Sequence, residues 1–308
     1  MRMSTFERIA IVGSGALGSY YGAKLARQGS DVRFLMRADL AAVRRDGLRV
    51  IEGGEGWRLD SVLACGSTTE IGPVDLVVIG LKTTANSSLD ELIPPLLHEG
   101  TLLLTLQNGL GNEEYLAARW GKERVLGGLC FVCLNRVAPG VIEHYGHGTL
   151  SLGEYGRVPM ERTRVLSALF SAAGVETRVV ENLITERWRK LVWNIPFNGL
   201  SIAAGGRTTD LLLADDGLRA QVRALMAETI AAAATLGHQI PADFADYQIE
   251  RTHPMGPYKP SSMIDWQQGR AVEVESIWGE PWRQGVAAGA VLPRLELLYH
   301  LLRHITSP

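Results

Sequence analysis

An α/β fold is predicted for this chain: a doubly wound, mostly parallel sheet in the N-terminal part, followed by an all-helical C-terminal domain. Three observations in the 308-residue sequence carry that prediction. Short runs that are apolar on nearly every residue (IAIVG, DVRFLM, DLVVIGL, TLLLTLQ) alternate with helical patterns, as do strands of a parallel sheet covered on both faces. Glycines at 13, 15 and 18 occupy the junction between the first run and the helical pattern after it. From Leu183 onward the strand-like runs stop and helical periodicity takes over. A chain of this length exceeds what one core usually organises, so two domains are expected, over residues 1–180 and 181–308.

Taken in order, IAIVG reads as a strand, the stretch around GSYYGAKLARQG as a helix, and DVRFLM as the next strand, after which Asp39 is placed to cap a helix. GLRVIEGGEGWRLDSVLA reads as a hairpin with a Gly-rich tip. DLVVIGL and TLLLTLQ are strands, with NSSLDELIPPLLHEG and EEYLAARWG as helices after them. VLGGLCFVCLNRVAPGVIEHYGHGTLSLG reads as two antiparallel strands joined at Pro139-Gly140. In the helical part, Asp215 or Asp216 caps a long helix that ends at Gly237.

The glycine pattern G-x-G-x-x-G follows a predicted strand and opens a predicted helix, the context of a dinucleotide site of the Rossmann type. Gly13 makes the turn, Gly15 lets a pyrophosphate approach the amides at the positive helix end, and Gly18 lets helix and strand pack closely. Ser14, Ala16 and Leu17 complete that loop, and Gly22 extends the close packing by one turn. Arg37 stands nineteen residues after Gly18 and no acid ends the second strand, so NADP(H) is preferred over NAD. Arg33 lies on the same strand face. Later strand ends deliver Lys82, suited to a phosphate or carboxylate, and Gln107, Asn108 and Gly109, of which Asn108 suits a ribose or substrate or simply makes a turn with Gly109.

Within ENLITERWRKLVWNIPFNGLSIAAGG, residues Lys190, Asn194 and Asn198 stand at four-residue steps and form one polar stripe among apolar neighbours, with Pro196 inside it. A lysine so placed either transfers a proton or pairs with a carboxylate. In MGPYKPSSMIDWQQGRAVEVESIWG, either Glu273 or Glu275 points inward to hold Lys190 or a substrate hydroxyl. Ser262 with Asp265 three residues on reads as a helix cap, a substrate contact, or both.

Composition narrows the partners. A net charge of −2 favours a small-molecule substrate over nucleic acid or an anionic membrane. No run reaches the roughly 20 apolar residues of a membrane span, and the N-terminus lacks a secretory pattern, so a cytoplasmic location is expected. No metal site is expected. Cys130 and Cys133 form a CxxC on a strand, where side chains three apart face opposite ways, so two buried thiols are expected. The Ala-rich helix serves an internal core or the face of a homodimer.

IAIVGSGALGSYYG, GLKT, QNGLG, RWRKLVWNIPFN and SSMIDWQQGRAVEVE, in this order and across essentially the whole chain, resemble the ketopantoate reductase (2-dehydropantoate 2-reductase) family. The resemblance implies an NADPH-dependent reduction of ketopantoate to pantoate in pantothenate synthesis, with a related 2-oxo acid or opine dehydrogenase, or a non-catalytic NADP(H) sensor, as alternatives. It implies a phosphate-reading Arg37, a cofactor-proximal Lys82, a strand-end Asn108, a catalytic Lys190 assisted by Glu273, and substrate contacts from Asn194, Asn198 and Ser262. The chain departs from the family where Ile264 alone separates SSM from Asp265, and where VESIWGEPWRQG replaces the usual IDYxNG continuation. Trp266, Trp278 and Trp282 add bulk where small or polar residues are expected.

Overall fold

The structure, a computed structural model, describes residues 6–307. The chain falls into two compact units, one formed by residues through Gln107 together with Asn112–Leu183, the other by Asn108–Gly111 together with residues from Ile184 onward.

The first unit is built on ten strands: β1 (Arg8–Val12), β2 (Asp31–Leu35), β3 (Leu48–Glu52), β4 (Glu55–Leu59), β5 (Leu63–Cys65), β6 (Leu76–Ile79), β7 (Leu102–Thr105), β8 (Val125–Ala138), β9 (Val141–Glu154) and β10 (Glu176–Val179). They form one sheet in the order β4-β3-β9-β8-β7-β6-β1-β2-β5, with β10 beside β9. From β5 to β8 the pairing is parallel throughout. The continuous apolar runs are explained by burial on both faces. Ile9, Ile11, Leu76, Val78 and Leu104 pack into one core, while Ala10, Val12, Val77, Ile79 and Leu103 pack into another. β1 has β2 on one side and β6 on the other, so the strand order reverses at the carboxyl ends of β1 and β6, where ligands of open α/β sheets bind.

The helices of this unit are α1 (Ala16–Arg27), α2 (Leu40–Asp46), α3 (Thr68–Ile71), α4 (Leu89–Leu92), α5 (Asn112–Trp120) and α6 (Glu161–Ala172). The β3–β4 hairpin turns on Gly53 and Gly54, both left-handed at φ 59° and 85°, as a two-residue hairpin with matching twist requires. NSSLDELIPPLLHEG does not form the single helix the sequence predicts. It breaks into the 3₁₀ turns Thr83–Ser88 and Pro94–Leu96 around the short α4, because Pro94 and Pro95 cannot donate to a longer helix. Asp39 precedes α2 but does not cap it: its buried carboxylate accepts from Arg136 Nη1 (3.0 Å) and from the Gly140 amide (3.2 Å) of the β8–β9 hairpin. Cys130 is half-buried rather than buried, and neither it nor Cys133 forms a disulfide among the described residues.

The second unit, all-helical among the described residues, comprises α7 (Leu183–Ala203), α8 (Thr209–Ala214), α9 (Asp216–Thr235), α10 (Phe244–Thr252), α11 (Ser261–Gln267), α12 (Glu280–Ala287) and α13 (Pro293–Ile305). Asp215 caps α9 by accepting from the Leu218 amide. Its core gathers Trp188, Leu191, Ile195 and Ile202 of α7 with Trp278 and Leu295. α7 continues through Pro196. Gly199 lets the Trp278 indole come close enough to donate to the Ile195 carbonyl (2.9 Å), since a Cβ there would lie 2.8 Å from the indole nitrogen. Among the described residues no helix is long and apolar enough to cross a membrane.

Candidate active site

The loop between β1 and α1 lies at the strand-order reversal. Gly13 has φ +101°, and a Cβ on it would lie 2.6 Å from the Gly80 carbonyl carbon and 2.8 Å from the Leu81 Cα, so only glycine allows the β1 and β6 ends to come this close. A Cβ on Gly18 would collide with the Gly13 carbonyl, which explains why α1 needs glycine to pack back on the turn. Gly15 is different: nothing lies within 4 Å of where its Cβ would be. It opens α1 with no side-chain cap and no acid in the first turn, and the Ser19 amide is the first to bond back, to the Gly15 carbonyl (3.0 Å). The amides of Ala16, Leu17 and Gly18 thus precede the first intrahelical bond at the positive helix end, with no side-chain cap among the described residues. The buried Ser14 hydroxyl has no hydrogen-bond partner among the described residues. Such a concavity takes an anion.

At the carboxyl end of β2, Arg37 is exposed and its side chain makes no hydrogen bond or ion pair among the described residues. Arg33 is engaged instead, by Asp31 (3.2 Å) and by the Ile71 carbonyl (2.8 Å). Lys82 follows β6 in extended conformation and opens the 3₁₀ turn Thr83–Ser88. The base of that turn is held by side-chain amides that stand more than 20 residues apart in the sequence. Gln107 Nε2 donates to the Leu81 carbonyl (3.0 Å) and to Asn86 Oδ1 (2.7 Å), and Asn86 Nδ2 donates to Asn112 Oδ1 (3.1 Å). Gln107 was visible as a polar residue at a strand end, whereas Asn86 carried no local signal.

In the second unit, Lys190 of α7 is half-buried and its Nζ donates to Asn108 Oδ1 at 2.8 Å. One turn on, Asn194 is 9% exposed and its amide makes no hydrogen bond among the described residues. The stripe then changes character. Asn198 is buried, and its Oδ1 accepts from the Ser262 backbone amide (2.9 Å), one of the donors that open α11. Ser262 is thus not a cap: Pro260 precedes the helix, Ser262 lies inside its first turn, and Asn198 does the capping from a different helix. Asp265 pairs with Arg270 (2.8 Å). Of the two glutamates, Glu275 is on the surface with Arg283 (2.9 Å) and Tyr299 (2.9 Å), while Glu273 is half-buried just before a π-helical turn, Glu275–Gly279. The three tryptophans pack on the core instead of lining this stripe: Trp278 is fully buried, and Trp266 and Trp282 lie against it.

Fold and loop together define a Rossmann-type protein with an all-helical second unit. The chain belongs to the ketopantoate reductase family: residues 9–157 match the family described as "Ketopantoate reductase PanE/ApbA" and residues 182–306 its C-terminal counterpart. A 2-dehydropantoate 2-reductase of Nostoc sp. is 42% identical over 97% of this chain and 95% of its own length. The crystal structure of 2-dehydropantoate 2-reductase from Geobacter metallireducens GS-15 is 47% identical, covers 96% of this chain and 99% of its own, and superposes with a TM-score of 0.94. That from Methylococcus capsulatus is 33% identical, covers 98% of each chain, and has a TM-score of 0.90.

Proposed function

We propose that the chain reduces a 2-oxo acid to the 2-hydroxy acid with NADPH, and that the substrate is 2-dehydropantoate (ketopantoate), giving pantoate. Family membership and the names of the relatives support the reaction. The observation that carries its chemistry is the 2.8 Å bond from Lys190 Nζ to Asn108 Oδ1, which fixes the direction in which the ammonium points.

The glycine loop fits a dinucleotide: open space at Gly15, uncapped first-turn amides and a Ser14 hydroxyl with no partner among the described residues suit a pyrophosphate. Arg37 reads the 2′-phosphate of NADP, and Lys82 adds positive charge along the cofactor. When bound, the reduced nicotinamide supplies the hydride that goes to the carbonyl carbon. Lys190 donates the proton to the carbonyl oxygen as negative charge develops there. Asn108 orients Lys190, and Glu273 holds it or accepts from the substrate 4-hydroxyl. Asn194, whose side-chain amide makes no hydrogen bond among the described residues, and Ser262 hold the substrate's polar groups, with Asn198 fixing the α11 end that carries Ser262.

The test is NADPH oxidation with ketopantoate and a panel of other branched 2-oxo acids. Ketopantoate is expected to give the highest kcat/KM, and a clear preference for another member of the panel would reassign the substrate. Lys190→Ala is expected to lower kcat by about a hundredfold or more. A variant within a few-fold of the parent would remove Lys190 from the chemistry.

A further inference from the structure

The π-helical turn Glu275–Gly279 is closed by the Glu280 amide, which donates to the Glu275 carbonyl five residues back. In the same register the next carbonyl, that of Ser276, would need a donor at residue 281. Proline stands there and has no N–H. Neither the Glu280 amide, already used, nor Pro281 can return that bond, and the Ser276 carbonyl instead accepts from the Leu110 amide at 2.9 Å. Gly109, at φ +81°, lies so close beneath that any Cβ on it would run into this same carbonyl. The Leu110 side chain is buried in the helical core. The strap Asn108–Gly111 is thus seated on the π-turn by the Leu110 amide bond and a contact at Gly109 that only glycine permits, with the Leu110 side chain in the core. Asn108, which begins the strap, bears the oxygen on which Lys190 rests.

We infer that the Ser276 carbonyl, exposed by the π-turn, is the anchor that fixes Asn108 against Lys190, so that Ser276, Gly109 and Pro281 are positioning residues for the proton donor. This rests on the reading of Lys190 given above. π-turns interrupt helices mostly where function needs the displaced group. Here the displaced group is a backbone carbonyl that reaches across to the loop carrying Asn108.

A matched pair of glycine variants tests this in the full-length protein. Gly109→Ala and Gly111→Ala each force alanine into a left-handed conformation, at φ +81° and +87°, so both carry similar local strain. Only the first meets backbone: beside Gly111 the nearest atom is the flexible Glu280 Cγ at 3.3 Å. Gly109→Ala is expected to lower kcat about tenfold relative to Gly111→Ala, with KM for NADPH within about twofold, and to cost nothing further in an Asn108→Ala background. Equal kcat for the two glycine variants, or losses that multiply with Asn108→Ala, would overturn the inference. Should Gly109→Ala fail to fold, Pro281→Ala restores an N–H able to claim the Ser276 carbonyl. The same kcat loss, absent in the Asn108→Ala background, is then expected, and parental kcat would overturn the inference. Lys190→Ala measured alongside separates the two ideas: its kcat collapsing while Gly109→Ala matches Gly111→Ala removes the anchor alone, whereas parental kcat in Lys190→Ala removes the reading beneath it.

Discussion

Two arginines four residues apart, Arg33 on β2 and Arg37 beyond it, show how much a side chain's use depends on where the strand ends. Arg33 is held inside the strand by Asp31 and the Ile71 carbonyl, and its charge is already matched. Arg37 lies past the carboxyl end, exposed and unengaged among the described residues. Charge-assisted, bidentate contact with a phosphate discriminates strongly against a ribose that lacks it. The intact protein is therefore expected to prefer NADPH over NADH in kcat/KM by about tenfold or more, and Arg37→Ala to shrink that preference while leaving NADH turnover near its parental value. Equal use of the two cofactors by the parent would remove Arg37 from cofactor selection. The arginine's position was legible in the sequence, because the distance from the glycines is counted along consecutive elements. That Arg33 is spoken for was not, since Ile71 lies 38 residues away.

At the level of elements, α7 and α11 depend on each other through one amide. Asn198 spends its oxygen on the first turn of α11, whereas Asn194 makes no protein hydrogen bond among the described residues, although the sequence places both on one stripe. Removing a cap of this kind costs about 1 kcal/mol, with more where the freed donor is buried. Asn198→Ala is therefore expected to lower the melting temperature by a few degrees as well as weaken substrate binding, while Asn194→Ala raises KM for the oxo acid at an unchanged melting temperature. Thermal melts and steady-state kinetics on the two variants distinguish these outcomes, and identical stability losses would contradict them. The expected cap at Ser262 failed for an instructive reason. Serine before an apolar run is a strong local signal, but Pro260 already sets the backbone that enters the helix, and a carboxamide from 64 residues away supplies the acceptor.

At the scale of the whole molecule, residues far apart in sequence converge to hold the N-terminal unit together. Glu52 of β3 accepts from Tyr20 (2.9 Å) and Lys24 (3.1 Å) of α1 and from the Trp57 indole (2.9 Å) of β4, with His144 of β9 at 3.3 Å. Burial pushes its carboxyl upward, but the hydrogen bonds from Trp57, Tyr20 and Lys24 outweigh it and hold the group down to about 2. A carboxyl depressed in the folded state contributes stability above its unfolded value of about 4.3 and loses it as pH falls toward the folded value. The stability gap between the parent and Glu52→Gln is therefore expected to be widest near neutrality and to narrow as pH falls from about 5 toward 2. Melts across that range check it, and a gap independent of pH would show that the charge of Glu52 is not what the cluster uses.

The layered sheet, the glycine turn, the β3–β4 hairpin and the run of helices after residue 183 are legible in the chain's residue order. Each of these is written in neighbouring residues, as a period of burial or as a left-handed backbone that only glycine tolerates easily. It takes the folded chain to show that Asn198 caps α11, that Glu275 leaves for the surface, that the tryptophans go to the core, and that the strap 108–111 is seated on a π-turn. Those outcomes turn on which distant group wins a particular donor or acceptor. The partners stand 64 residues apart for Asn198 with Ser262 and 82 for Lys190 with Asn108, and no local pattern records such a competition.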